Sequence, residues 1–169
     1  MLNWQYFPKS REIPPHLKDV VDVFSSNLNR IDSQSFTHNS DQVLEKLSRD
    51  LKKKGFIIEK SKKAKDKISV PVLFGKNGIP EKTFNADGIQ KKTNTVLEIE
   101  AGRGVTNNQF LKDLFEACMM HEIDYLIIAL RNIYLETNKD YNKVITFFET
   151  MYASGRLALP LKGILVIGY

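Results

Sequence analysis

Residues 84–103 read FNADGIQKKTNTVLEIEAGR, and this stretch decides the fold. Within it, residues 95–101 alternate apolar and acidic side chains in the manner of a β-strand. Because successive side chains of a strand point to opposite faces, Glu98 and Glu100 share one face with Val96. The two carboxylates then lie roughly 6.6 Å apart along the strand. Two acidic side chains on one face of an otherwise apolar strand require a partner or water.

The surrounding sequence predicts an α/β domain in which this strand is interior. Apolar residues at helical spacing, with a capping signal at Asn39 and Gln42, predict helices over residues 17–28, 40–54, 108–120 and 140–153. Short apolar runs predict strands over residues 56–59, 68–74, 82–90, 95–101, 124–130 and 163–169. The alternating order at the end of the chain is typical of parallel strands joined by right-handed crossovers. We therefore expect a mixed central sheet flanked by helices.

The size and composition of the chain indicate one globular domain. A length of 169 residues suffices for a single substantial core but is short for two domains. Hydrophobic residues make up 42% and charged residues 27%, a balance that excludes disordered and fibrous classes. We expect a single domain over residues 1–169, in which residues 1–38 form an N-terminal helical extension.

Charge and cysteine content suggest a cytoplasmic protein with a polyanionic partner. The net charge of +5 and the pI of about 9.2 favour nucleic acid ahead of an anionic membrane surface. Cys118 is the only cysteine and cannot form an intramolecular disulfide, which suits a reducing compartment. The first residues lack the apolar core of a signal peptide, and no apolar run reaches membrane-spanning length.

The acidic pair is explained by a metal ion if the strand is covered on both faces. Two neighbouring carboxylates removed from water repel each other and need a cation or hydrogen-bond donors. Mg²⁺ prefers oxygen ligands and keeps several waters, which leaves room for a phosphate. Asp87 is the natural third ligand, because the short turn between its segment and the acidic strand allows a hairpin that places it beside Glu98. A bound metal can activate water for phosphodiester hydrolysis.

Simpler interpretations of the same residues remain open. Glu98 and Glu100 are also explained by a half-buried strand whose acidic face meets water. Asp87 followed by Gly88 is a dipeptide that often forms an ordinary hairpin turn. The residue pattern alone does not separate these interpretations from a metal site.

The two segments FNADGIQ (84–90) and VLEIEAG (96–102) resemble the core of the PD-(D/E)xK, restriction-endonuclease-like nuclease superfamily. They are most similar to its BamHI and BglII branch, in which the usual lysine is replaced. The resemblance spans residues 40–130 as a helix-strand-strand-strand-helix-strand order, although its specific part is only a few residues. Ala86 stands where the motif has a proline.

This resemblance implies a restriction-endonuclease-like fold and hydrolysis of DNA with Mg²⁺, or Mn²⁺ in its place. Asp87, Glu98 and Glu100 align with the three motif positions, which implies metal binding by Asp87 and Glu98. Glu100 stands where most members carry lysine, so its role as a ligand or as the base that orients water is left open. A helix before the core often supplies another acidic residue in this superfamily, and Glu45 is the best-placed candidate.

A lysine-rich stretch offers a surface for nucleic acid. It comprises Lys52, Lys53, Lys54, Lys60, Lys62, Lys63, Lys65 and Lys67. Such a cluster can neutralise backbone phosphates without reading sequence, and we single out Lys62, Lys63 and Lys65. The alternative is a solvated loop with no partner.

The segment that follows the acidic strand offers further contacts. Arg103 and Asn107 precede a predicted helix, where phosphate binding is plausible. Thr106 and Gln109 can also form a capping box there. Lys112, one turn further, is a candidate for the missing motif lysine or an ordinary surface residue.

Together these features predict a Mg²⁺-dependent DNA endonuclease of restriction type. We expect a homodimer, because a palindromic duplex is most simply cut by two related sites. The competing hypotheses are a non-catalytic DNA-binding protein of nuclease-like fold and a protein with solvated glutamates and no nucleic-acid role. The sequence gives no indication of the recognition site or of a partner methyltransferase.

Overall fold

A computed structural model describes residues 1–60, 66–102, 105–133 and 139–169. In these residues the protein has an α/β architecture built on a six-stranded mixed sheet of order β1-β8-β7-β6-β5-β2. The strands of this sheet are β1 (Asn3–Phe7), β2 (Ile57–Ile58), β5 (Gly88–Gln90), β6 (Thr95–Glu100), β7 (Tyr125–Leu130) and β8 (Gly163–Gly168). A separate antiparallel hairpin is formed by β3 (Ile68–Phe74) and β4 (Pro80–Ala86).

The acidic strand β6 is interior, as the sequence predicts. It pairs in parallel with β7, which pairs in parallel with β8, and its other edge pairs antiparallel with β5. Crossover helices after β6 and β7 account for the parallel pairing.

Five helices in the described residues cover the sheet: α1 (Pro15–Ser26), α2 (Leu28–Ile31), α3 (Ser40–Lys53), α4 (Gln109–Met119) and α5 (Asp140–Ser154). The predicted capping box opens α3, with Asn39 accepting from the Gln42 amide and the Gln42 side chain accepting from the Asn39 amide. Gly155 ends α5 at φ 60°, a left-handed conformation that glycine adopts without strain. No described helix is long and apolar enough to cross a membrane.

The core lies in two layers, one on each face of the sheet. Helices α1, α2 and α3 pack against one face with Leu97 and Ile99 of β6. Helices α4 and α5 pack against the other face, to which Val96 of β6 belongs. The face that carries Glu98 and Glu100 is therefore the face that α4 covers.

The N-terminal segment differs from the predicted helical extension. Residues Asn3–Phe7 form β1, which pairs antiparallel with β8 and closes one edge of the sheet. Tyr6 and Phe7 of this strand are buried on opposite faces, one in each core layer. Its few residues gain their strand conformation from pairing with β8, a contact that local sequence does not show.

The predicted strand over residues 82–90 is also divided. Its first part is β4 in the hairpin, its second part is β5 in the main sheet, and Asp87 lies between them. The chain changes partner at this residue, so Asp87 is not inside a continuous strand.

Candidate metal centre

Asp87 is held at the point where the chain leaves the main sheet. Its side chain is only 9% exposed, and its Oδ2 accepts a hydrogen bond of 2.9 Å from the amide of Ile99. Gly88 of β5 pairs with Leu97 of β6. If this antiparallel pairing continued, the Ile99 amide would meet a main-chain carbonyl two residues before Gly88, and the Asp87 carboxylate takes the place of that carbonyl. The Asp87 carbonyl accepts from the Glu59 amide at 2.9 Å, which extends the same row toward β2. The carboxylate is thereby fixed beside β6.

Glu98 and Glu100 lie on the α4 face of β6 and are half-buried. Burial, followed by the charges of Asp87 and Asp113, raises the pKa of Glu98 well above its usual value. Burial and the same two aspartates raise the pKa of Glu100 to about 8. The structure therefore brings together Asp87, Glu98 and Glu100, and it places them where a negative charge is costly.

Asp113 is a fourth acidic side chain in the cluster, and the sequence prediction missed it. It projects from α4, is 5% exposed, and accepts a 3.1 Å hydrogen bond from Gln109 Nε2 at its Oδ1. Burial raises its pKa to about 6, with Gln109 and Lys112 acting in the opposite direction. The sequence does contain a signal for the burial of Asp113. The residue lies on the apolar stripe of α4, between Phe110 and Ala117, where a charged side chain is unexpected.

The four carboxylates line a cleft of about 500 Å³ between the β3–β4 hairpin, α4 and the end of β6. Glu59 and Glu116 also line it. Three lysines from different elements contribute to the walls: Lys67, Lys82 and Lys112. The cleft thus combines acidic residues with cationic side chains that can meet a polyanion.

Lys112 is the lysine whose charge acts on the cluster. Its positive charge lowers the pKa of both Glu100 and Asp113, partly offsetting their burial. Its Nζ lies 3.5 Å from Glu116 Oε1, and its side chain is 59% exposed. Lys112 therefore lies in the cleft while its ammonium group keeps access to solvent.

The donor set suits a hard divalent cation. All of the converging groups are carboxylates, the ligands that Mg²⁺ and Mn²⁺ prefer over nitrogen or sulfur sites. Within the described ranges, no group of three or more His, Cys, Asp or Glu side chains is arranged so that it could hold a metal ion. Mg²⁺ usually needs only one or two protein carboxylates, with water and phosphate completing its shell. Asp87 and Glu98, for which the sequence resemblance implies metal binding, both line the cleft.

Several predicted site residues lie elsewhere. Glu45 is exposed on α3 and does not line the cleft, because Val43, Leu44 and Leu47 turn the other side of that helix toward the core. The residue of α3 that reaches the cleft is Ser40, whose Oγ accepts from the Ala101 amide at 3.1 Å. The structure does not support the prediction that Glu45 belongs to the site.

The predicted nucleic-acid contacts have mixed outcomes. Lys62, Lys63, Lys65 and Arg103 lie outside the described residues. Asn107 is exposed in the turn before α4 and is not part of the cleft wall. The predicted Thr106–Gln109 capping box is wrong, since α4 begins at Gln109 and Asn108 occupies the N-cap position at φ 53°. Gln109 instead anchors Asp113.

Comparison of the chain with protein-family models and with curated protein sequences gave no match.

Proposed function

We propose that this protein is a Mg²⁺-dependent DNA endonuclease of restriction type, with a restriction-endonuclease-like core. The observation that carries the proposal is that Asp87, Glu98 and Glu100 line one cleft. Asp87 comes from the segment 84–90, and the two glutamates come from the segment 96–102. A divalent cation stabilises carboxylates that are crowded together and partly removed from water. The mixed sheet, with a helix after the acidic strand, supports the same proposal.

Asp87 and Glu98 hold the cation in this proposal. The Ile99 amide fixes the Asp87 carboxylate, and the sheet fixes Glu98 through pairing on both sides of β6. When bound, Mg²⁺ polarises the phosphodiester and lowers the pKa of a coordinated water. Two ligands on separate, rigid segments orient the site without needing a nucleophilic side chain.

Glu100 acts on the attacking water, either as a further ligand or as the group that orients it. It lies two residues beyond Glu98 on the same face and at the edge of the cleft. Burial and the charges of Asp113 and Asp87 raise its pKa above that of a solvated glutamate, and in this proposal the nearby cation keeps it deprotonated. This role replaces the lysine of the common motif, with Lys112 as the neighbouring cation.

DNA enters along the lysine walls of the cleft in this proposal. Lys67 and Lys82 lie on the hairpin side and Lys112 lies on α4, so a phosphate backbone between them meets cations on both sides. Lys82 Nζ lies 5.4 Å from the Phe84 ring centroid, which places the ammonium group over that ring. Phosphate contacts of this kind position a nucleic acid without reading its sequence.

The test is incubation of purified protein with plasmid and phage DNA in the presence of Mg²⁺, Mn²⁺ or EDTA. We expect cleavage with either cation and none with EDTA. DNA binding without cleavage under every condition would instead support a non-catalytic DNA-binding protein. Absence of both binding and cleavage would leave the glutamates as an acidic surface with no nucleic-acid role.

A further inference from the structure

Asp113 has one carboxylate oxygen at the cleft without a hydrogen-bond donor. Its Oδ1 is anchored by Gln109 Nε2, whereas its Oδ2 is enclosed and has no donor among the described residues while the neighbouring acids are ionised. The residue is 5% exposed, so water replaces little of the lost hydration. A buried carboxylate oxygen of this kind is unfavourable unless a cation or proton reaches it.

Glu100 on β6 and Asp113 on α4 line the same cleft, and their carboxyl groups lie within hydrogen-bonding reach of each other. Two carboxylates this close repel each other unless a proton or a cation lies between them. The Gln109 bond orients the Asp113 side chain before any ligand arrives, which lowers the cost of ordering it on binding. The pair is therefore a preformed two-carboxylate arrangement in which a cation can replace the proton.

The charge of the whole cleft exceeds what one divalent cation can offset. Among the described residues, six carboxylates and three lysines line it, which leaves a formal excess of three negative charges. One divalent cation at Asp87 and Glu98 neutralises two of these. One formal negative charge then remains in the cleft when every carboxylate is ionised.

We propose that Glu100 and Asp113 form a second divalent-cation subsite, separate from the Asp87 and Glu98 pair. Asp113 Oδ2 and the Glu100 carboxylate supply the protein ligands, and water completes the shell. The use of this subsite in the reaction rests on the proposed nuclease function. Within that function, Glu100 is then a metal ligand, which decides between the two roles left open for it above. Binding of the cation itself does not depend on cleavage.

Mn²⁺ binding to the full-length protein tests this subsite directly. Free Mn²⁺ is measured by electron paramagnetic resonance at pH 7.5, with stoichiometry taken from titration up to several millimolar Mn²⁺. We expect two ions per chain for the unmodified protein and one for Asp113→Asn, with the affinity of the second ion reduced at least tenfold. Asp87→Asn is expected to lose the other ion, and the double variant both.

Glu116→Gln is the matched control. Glu116 lies on the same helix, lines the same cleft and carries the same charge, but it pairs with Lys112 rather than with Glu100. A general reduction in negative charge weakens Mn²⁺ binding equally in Glu116→Gln and Asp113→Asn, whereas a ligand effect appears only in the second. The asparagine retains an acceptor for Gln109, and thermal unfolding in EDTA verifies the fold of each variant. Glu100→Gln tests the subsite from β6 if Asp113→Asn does not fold.

The outcomes separate this subsite from the proposed function. One ion per unmodified chain, no ions, or two ions retained in Asp113→Asn would each overturn the subsite, whatever the cleavage assay shows. Two ions per chain, one of them absent in Asp113→Asn but not in Glu116→Gln, would establish it even if DNA is not cleaved. Failure to cleave with both ions bound counts against the nuclease proposal alone.

Discussion

Asp87 Oδ2 accepts a hydrogen bond from the amide of Ile99, the residue between the two glutamates of β6. This 2.9 Å hydrogen bond joins residues that are twelve positions apart in the chain. It places the carboxylate beside the strand where the main-chain ladder stops, so the backbone amide is satisfied by the acid itself. One acid of the proposed cation site therefore also satisfies a backbone amide at the end of the sheet.

Glu98→Gln tests the assignment of Glu98 as a metal ligand. We expect cleavage to be lost, because the neutral amide is a poorer ligand for Mg²⁺. Stability should be unchanged or raised, since the substitution removes a buried charge near Asp87 and Glu100. DNA affinity without metal should persist or increase, because a negative charge near the phosphate is gone. Cleavage rates, chemical denaturation and filter binding measure the three effects.

The matched control for this variant is Glu122→Gln. The Glu122 side chain is 75% exposed and lies 3.6 Å from His121 Nε2, so we expect normal cleavage and a stability change within about 0.5 kcal/mol. A Glu98→Gln protein that cleaves DNA at the unmodified rate would refute the metal site assigned to β6.

Stability in the absence of divalent cations should fall as the pH rises from about 4.5 to about 8. The pKa of Glu100 is raised from 4.5 to about 8, so the folded protein binds more protons than the unfolded chain throughout this window. Unfolding is then favoured as protons are removed, and the contribution is on the order of 2 kcal/mol after a discount for partial exposure to solvent. Asp113, whose pKa is raised to about 6, acts in the same direction. Urea denaturation in EDTA at several pH values measures the effect.

Comparison with Glu100→Gln isolates this contribution from the other titrating groups. The variant should lose the part of the decline that Glu100 contributes, because glutamine does not titrate, whereas Glu98 and Asp113 still do. Mg²⁺ should reduce the decline in the unmodified protein, since the cation binds and stabilises the deprotonated carboxylates. Identical pH profiles for the two proteins would show that Glu100 is solvated.

Replacement of Lys62, Lys63 and Lys65 by alanine should weaken DNA binding and flatten its salt dependence. Removing one lysine–phosphate interaction reduces the slope of log affinity against log salt by roughly 0.9. Lys91, Lys92 and Lys143 provide a charge-matched control, because they are exposed and do not line the cleft. Fluorescence anisotropy over a range of salt concentrations gives both quantities. Equal reductions in affinity in the two triple variants would indicate a general charge effect instead of a defined patch.

We expect the protein to be a homodimer, because one cleft cuts one strand and a palindromic duplex presents two equivalent strands. Light scattering coupled to gel filtration measures the mass of the protein alone and on duplex DNA. A monomer in both conditions would contradict cleavage of restriction type but would remain compatible with nicking of a single strand.

Gly163→Ala should destabilise the edge of the sheet formed by β1 and β8. Two Tyr6 ring atoms lie 2.6 Å from the position that a Cβ at residue 163 would occupy, so the ring or the strand must move. We expect a loss of about 1–3 kcal/mol in the free energy of unfolding. Gly102→Ala is the control, because no atom of the described residues, its chain neighbours aside, lies within 4 Å of the corresponding Cβ position. Equal stabilities would argue against packing of Tyr6 on β8.

Local sequence was enough to predict most of the regular elements and the interior place of β6. The apolar stripe of α3, its capping box and the turn at Gly155 act over a few residues, so their signals are visible without tertiary contacts. The alternation in β6 similarly placed Glu98 and Glu100 on one face. Local sequence did not reveal β1, because its strand conformation depends on pairing with β8 at the other end of the chain.

Only the tertiary structure decided which acids share the cleft. From its place in the sequence, on a helix before the core, Glu45 was as good a candidate for the site as the other acids. The packing of α3 turns its side chain to solvent. Asp113 interrupts an apolar stripe in the sequence, and only the packing of α4 over β6 brings it opposite Glu100. Residue spacing determines the face of one element, whereas convergence of carboxylates from several elements depends on their packing, which long-range apolar contacts determine.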